Sequence, residues 1–157
     1  MKITLLAIGK TDDRNLQALI DEYSKRLKHY VSFHFELVPD IKNVKNLSEI
    51  QQKNKEGQEL LKRLSPSDSL ILLDENGKSF NSVGFSDYLQ KKMNSGLKNL
   101  VFIIGGPYGF SEEMYQRANG KIALSRMTFS HQMVRLFFVE QLYRGFTILR
   151  NEPYHHQ

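Results

Sequence analysis

Asn99-Leu100-Val101-Phe102-Ile103-Ile104-Gly105-Gly106-Pro107-Tyr108-Gly109-Phe110-Ser111 runs from an unbroken apolar segment into a glycine-rich turn and ends on a serine. A strand that is apolar at every position from Leu100 to Ile104 has both faces covered, the condition of a parallel sheet packed between helices. Ser111 stands where a hydroxyl caps a helix. Glu112 and Glu113 follow it in the first turn, where acidic groups complement the helix dipole. The segment therefore reads as strand, tight turn and helix, the building unit of an α/β protein.

Working outward, the same grammar repeats. Leu70-Ile71-Leu72-Leu73-Asp74 is a second apolar run, closed by an acid, and reads as a central parallel strand. Glu75-Asn76-Gly77-Lys78 then reads as a turn, with a short helix around Ser86 to Met93. Toward the N-terminus, Lys2 to Gly9 is a strand, and Asp12 to Tyr30 carries Leu16, Leu19, Ile20, Tyr23, Leu27 and Tyr30 at helical spacing. Ser32 to Val38 alternates as a strand and stops at Pro39. Asp40 to Leu47 reads as an exposed loop. Ser48 then caps a helix that ends around Leu64, with Ile50, Leu60, Leu61 and Leu64 on its buried face. Toward the C-terminus, Lys121 to Leu124 is a fifth strand and Ser130 to about Leu149 a long helix, stopped by Asn151-Glu152-Pro153 before a Tyr154-His155-His156-Gln157 tail. The expectation is one α/β domain over residues 1–157, a mostly parallel sheet flanked by helices.

Composition narrows the function classes. With 157 residues, 40% hydrophobic and 25% charged, the chain is of ordinary globular make-up. It contains no cysteine, which excludes disulfides and thiolate metal sites. The apolar stretch from Ile3 to Ile8 is short and runs at once into Asp12 and Asp13, so it reads as a buried strand rather than a secretory leader. No apolar run reaches the length of a membrane span. These features predict a soluble, cytoplasmic protein. A net charge of +5 and a pI near 9.4 favour a polyanionic partner without identifying one.

In α/β sheets ligands gather at the carboxyl ends of strands. Three such ends stand out: Leu73-Asp74, Gly105 to Gly109, and Leu124-Ser125-Arg126-Met127-Thr128-Phe129. Gly105-Gly106 admits backbone close to a ligand, although an isolated Gly-Gly-Pro is by itself only a tight turn. The spacing is not GxGxxG, and Walker lysine and GxSxG elbow are both missing, so nicotinamide, P-loop and hydrolase readings lack support. His29 and His34 occupy solvated positions, His131 opens the last helix, and His155 and His156 lie in the tail; none has metal-ligand spacing, so no metal is expected. The last helix is apolar nearly all round, from Met133 and Val134 to Phe146 and Leu149, with Gln132, Arg135, Glu140, Gln141 and Arg144 interspersed. So little solvated face predicts burial in a homodimer interface.

Four strings carry a resemblance: Phe102 to Gly109, Leu124 to His131, Glu140-Gln141-Leu142-Tyr143-Arg144, and Pro153-Tyr154-His155. In this order and spacing the chain resembles, over essentially its whole length, the RlmH-type ribosomal RNA large subunit methyltransferases, a minimal branch of the SPOUT class. The resemblance implies an α/β fold with a C-terminal deep trefoil knot, a homodimer, and S-adenosyl-L-methionine as cofactor. Leu73, Gly105, Leu124, Ser125, Arg126, Met127, Thr128 and Phe129 fall at the family's cofactor-binding positions; no specific role is assigned to the Arg126 side chain. The implied substrate is the pseudouridine at position 1915 of 23S ribosomal RNA, methylated at N3. A mild positive charge and no recognisable RNA-binding appendage leave the chain underequipped for free RNA, so the assembled ribosome is the expected partner. That imide nitrogen must lose a proton, so Tyr154 and His155 are candidates for base or polarising donor, and Arg144 for stabilising negative charge or gripping phosphate. The alternative is that the tail only folds over the cofactor and orders the pocket. Gly145 departs from the family's usual alanine, at about 1 kcal/mol of helix propensity. Two other functions stay open at this point: a SPOUT enzyme acting on transfer RNA, and a ribosome-binding factor without catalysis.

Overall fold

The computed structural model describes residues 1–156; Gln157, the end of the tail, lies outside it. Its elements are β1 (Lys2–Ile8), α1 (Arg14–Leu27), β2 (Ser32–Val38), α2 (Glu49–Leu61), β3 (Ser69–Ser79), α3 (Ser82–Asn94), β4 (Asn99–Ile104), α4 (Glu112–Arg117), β5 (Gly120–Ala123) and α5 (Met133–Leu149). The strands form one sheet in the order β2-β1-β4-β3-β5, and every pairing is parallel. Parallel pairing places all carboxyl ends along one edge, where the three strand ends singled out in the sequence meet.

Alternation along the strands divides two apolar layers. Leu5, Ala7, Ile71, Phe102 and Ile104 pack with Phe85, Leu89, Phe138 and Leu142 of α3 and α5. Leu6, Ile8, Leu70, Leu72, Val101 and Ile103 pack with Leu60 of α2 and Met114 of α4. Phe102 and Phe138 meet at 4.7 Å between ring centres, both without solvent exposure. Burial of each such ring contributes about 1.5–3 kcal/mol. The helix starts follow the caps: Asp13 Oδ1 accepts from Leu16 N at 2.9 Å, and Ser48 with Gln51 forms a reciprocal capping box.

Several sequence expectations need correction. Residues 75–78 are not a free turn: β3 continues to Ser79, with a register shift between Leu73 and Lys78, and Lys78 pairs Ile122. A side chain on Gly77 would lie 2.5 Å from Ile122 N, so only glycine lets the two backbones close. Helix α3 starts at Ser82 rather than near Ser86, because Asn81 Oδ1 accepts from Gly84 N at 2.7 Å. Ile50 is 64% exposed, since α2 buries Glu56, Gly57 and Leu60 instead. Leu19 likewise faces solvent. The loop after β2 contains a short 3-10 turn, Val44–Asn46. Helix α5 begins at Met133, after a turn in which Ser130 Oγ accepts from Met133 N. Gly145 is buried against α3, where a Cβ would stand 3.0 Å from Leu89. That close approach of two helices gives the departure from alanine a packing reason.

Candidate functional site

A cavity of about 640 Å³ opens at the carboxyl edge of the sheet. Leu73 and Asp74 of β3 form one side, Gly105 to Phe110 after β4 the second, and Leu124, Ser125 and Met127 to His131 after β5 the third; Val134 of α5 closes it. Of the residues expected to hold cofactor, Leu73, Gly105, Leu124, Ser125, Met127, Thr128 and Phe129 line this space, whereas Arg126 does not. Asp74, Pro107 and Tyr108, within the strand ends singled out from sequence, also line it, as do Tyr115, His131 and Val134, which were not named as ligands.

The walls follow from local chemistry. Gly109 has φ of +78° and donates its N–H to Gly106 O at 3.1 Å, which folds the loop back on itself. A Cβ at Gly105 would lie 3.2 Å from the Phe110 ring and 3.3 Å from Gly109 O. Asp74 is fixed by two bonds: the Tyr115 hydroxyl donates to Oδ2 at 2.5 Å and Asn76 N–H to Oδ1 at 2.8 Å. Burial, then the bond to Asp74, pushes the Tyr115 hydroxyl up to about 12, so it stays a donor. Met127 is 75% exposed at the rim, its N–H bonded to Ser125 Oγ at 2.9 Å. Apolar walls from Leu73, Ile104, Leu124, Phe129 and Val134 beside backbone amides of two loops suit a flat aromatic base with a polar tail.

Arg135, one turn beyond the rim, is fully buried. Its guanidinium donates to Ile8 O at 2.6 Å, Gly9 O at 3.0 Å, Thr11 Oγ1 at 3.1 Å and His131 O at 3.2 Å. Burial lowers its pKa, and Asp12 and Asp40 oppose this. The charge ties the start of α5 to the end of β1. In the sequence it looked like one of a few interspersed polar residues.

The expected catalytic side chains gather elsewhere. Arg144 Nε and Nη2 donate to Glu140 Oε1 at 3.0 and 2.6 Å, and Arg144 Nη1 lies 3.3 Å from His155 Nδ1. The Tyr154 hydroxyl donates to Glu140 Oε1 at 3.0 Å and sits 3.0 Å from the Tyr23 hydroxyl. Burial, with the bonds to Tyr23 and Glu140, raises the Tyr154 pKa and keeps the phenol protonated. The chain is anchored just before Tyr154: Glu152 N–H donates to Thr147 O at 2.9 Å and the Tyr30 hydroxyl to Glu152 Oε2 at 2.5 Å. Glu140 and Tyr23 were missed as members of this group. The Glu140–Arg144 spacing of four on a helix was a readable signal, whereas the Tyr23 contact spans 131 positions and leaves none. Arg144, Tyr154 and His155 do not line the cavity. Val134 and Arg144 are ten positions apart, roughly 15 Å along α5. On the same helix, Met133 and Phe137 are 38% and 37% exposed, and Phe129 packs on Phe137 at 4.9 Å.

Among the described residues there is no group of three or more His, Cys, Asp or Glu side chains placed to hold a metal ion, and no helix long and apolar enough to cross a membrane. A family profile described as "Predicted SPOUT methyltransferase" matches residues 1–155. The chain is similar to proteins named ribosomal RNA large subunit methyltransferase H from Flavobacterium johnsoniae, at 73% identity, Flavobacterium psychrophilum, at 71%, and Parabacteroides distasonis, at 62%. Each of these alignments covers 100% of this chain and 100% of the relative.

Proposed function

The chain belongs to the SPOUT methyltransferase family, and on that premise we propose that it methylates large-subunit ribosomal RNA, transferring a methyl group from S-adenosyl-L-methionine to N3 of the pseudouridine at position 1915 of 23S ribosomal RNA. It acts in the cytoplasm on the assembled ribosome, as a homodimer of single-domain chains whose C-terminal loops form a deep trefoil knot. The observation that carries this reading is the convergence of Leu73, Gly105 and the Leu124 to Phe129 loop on one cavity at the sheet edge.

The residues present fit the cofactor. Leu73, Leu124, Met127 and Phe129 would enclose the adenine, and Gly105, where a Cβ would press on the Phe110 ring, lets the loop backbone form the adjoining wall. When bound, the cofactor supplies an electrophilic methyl group. The chain's own task is to present a deprotonated imide nitrogen in line with it. Arg144 is a fixed cation suited to the charge that develops on the pyrimidine as N3–H is lost. Tyr154, kept protonated, is a donor and not a base. Arg144 donates to His155 Nδ1 in this arrangement, which places the ring proton on Nε2. A base role for His155 therefore requires the N3–H to displace Arg144 from Nδ1.

The separation of cavity and cluster supports the dimer. A second copy packed on the Met133 and Phe137 face of α5 covers that apolar surface and carries its own Arg144 cluster toward the first copy's cavity. The test is transfer of tritiated methyl groups to assembled ribosomes, free ribosomal RNA and bulk transfer RNA, with the label mapped by nuclease digestion and mass spectrometry. Label on the pseudouridine with ribosomes alone is expected. Label in transfer RNA would discard the substrate and keep the family, and equal labelling of naked RNA would discard the ribosome as the recognised partner.

A further inference from the structure

The back of the cavity is built by a helix that contributes nothing to its lining. Glu56 of α2 is 4% exposed, and its Oε1 accepts from Gln52 Nε2 at 3.0 Å. Its other oxygen, Oε2, is buried and has no hydrogen-bond partner among the described residues. That oxygen points at the glycine loop: a Cβ built on Gly106 would stand 2.3 Å from Glu56 Oε2 and 2.8 Å from Oε1. The next residue of the same helix makes a second close approach. A Cβ on Gly57 would lie 2.5 Å from Ser111 Oγ and 3.2 Å from Met114 Cγ. Ser111 caps α4 by accepting from Met114 N. Helix α2 thus meets the β4–α4 connection at both ends, with a carboxyl group against Gly106 and bare backbone against Ser111.

We infer that Glu56 is a positioning residue for cofactor binding: it props the Gly105–Gly109 loop from behind and, with Gly57 seated on Ser111, holds that loop in its binding shape. The inference deepens the methyltransferase reading, since the propped loop is one wall of the cavity proposed for S-adenosyl-L-methionine. The physical reason is geometric. The loop's own closure is a backbone bond from Gly109 to Gly106, and neither glycine has a side chain with which to anchor itself in the core. Rigidity has to come from outside, and Glu56 fills the space a side chain at Gly106 would occupy. The contact with the loop is one of shape, because Oε2 makes no hydrogen bond there and a carboxyl this enclosed is driven toward its protonated form. Glutamine, which keeps the volume and the planar head group, is therefore expected to substitute and alanine is not.

Two measurements on the full chain decide it. In the ligand-free protein, Glu56→Ala should speed amide exchange at Gly105 to Ser111 by roughly tenfold while leaving β1 and β4 protected, and Glu56→Gln should not. In calorimetry with S-adenosyl-L-methionine, Glu56→Ala should weaken binding and raise its KM by roughly tenfold, with kcat at saturation within about twofold, and Glu56→Gln should restore both. A purely structural role would lower kcat with the folded fraction and leave KM alone. Gly106→Ala supplies a second arm that does not need a tolerated cavity: it should weaken binding strongly in the natural background and far less when Glu56→Ala has removed the obstructing carboxyl. Unchanged exchange and KM in Glu56→Ala, or strict additivity of the two substitutions, would overturn the inference. A natural chain that binds no cofactor would overturn the functional reading instead, and the exchange measurement would still decide the prop.

Discussion

The cavity at the sheet edge and the Arg144 cluster at the far end of α5 are built on opposite principles. The cavity is made of loops, glycines and aliphatic walls, with the carboxylates of Asp74 and Glu75 and the His131 ring among its few polar side chains. The cluster is made of long polar side chains on a helix and a folded tail, joined by Glu140. Backbone and apolar surface can hold a ligand whose shape does not change, whereas a fixed cation and polarisable donors serve charge that appears only during reaction. On the proposed reading the difference separates a binding region from a chemical one, joined by α5, with Arg144, Tyr154 and His155 outside the cavity lining of their own chain.

Breaking one region and sparing the other tests this division. The largest effect is expected from Arg144→Ala: kcat should fall about 10²–10³-fold while cofactor affinity by calorimetry stays within about twofold. A parallel loss of affinity would mean that the cluster belongs to the binding region after all. Mixing Arg144→Ala chains with chains disabled in the cavity, such as Leu124→Arg, sharpens the point. Random reassortment makes half the dimers mixed, each with one complete site, so turnover should recover to about a quarter of the natural value. No recovery after verified subunit exchange would place both halves of the site in one chain.

Smaller effects concern the framework. Arg135→Met should cost roughly 2–3 kcal/mol in urea unfolding, because Ile8 O and Gly9 O lose a buried donor. Undiminished stability would show that apolar contacts alone hold the cavity end of α5. Leu124→Ala should weaken cofactor binding by roughly tenfold and leave kcat at saturation nearly unchanged, the mirror image of Arg144→Ala. The smallest effect is a pH dependence. Burial raises the Glu56 pKa above 4.5, helped by Asp40 and opposed by the Gln52 bond. The folded state then holds the proton more tightly than the unfolded one, so this group's contribution is full below pH 4.5 and is lost as pH rises through the raised value. Unfolding titrations from pH 4 to 8 should show Glu56→Gln gaining on the natural protein as pH increases, and parallel curves would show that the carboxyl is solvated.

The elements that could be read in the sequence were those whose burial is complete. Runs such as Leu70 to Leu73 and Leu100 to Ile104 admit one interpretation, because a strand covered on both faces has no polar side to confuse it. Partial burial misled: Ile50 looked like a core residue and is exposed, while Arg135, read as one of a few interspersed polar residues, and Glu56, not singled out, are buried. The glycines at 77 and 106 were visible, but the neighbours that require them, Ile122 and Glu56, are distant in sequence.

The sequence by itself determined the parallel α/β layering, the caps at Ser48 and Ser111, the family, and the three strand ends that meet at the cavity, because each depends on local periodicity or on strings of adjacent residues. Only the tertiary structure decided that Arg135 is an internal tie, that Tyr23 joins Tyr154, that α2 stands behind the glycine loop, and that Arg144, Tyr154 and His155 do not line the cavity. Those facts depend on which distant surfaces come within a few ångströms of one another. That proximity is set by the packing of whole helices on the sheet, which no local pattern encodes.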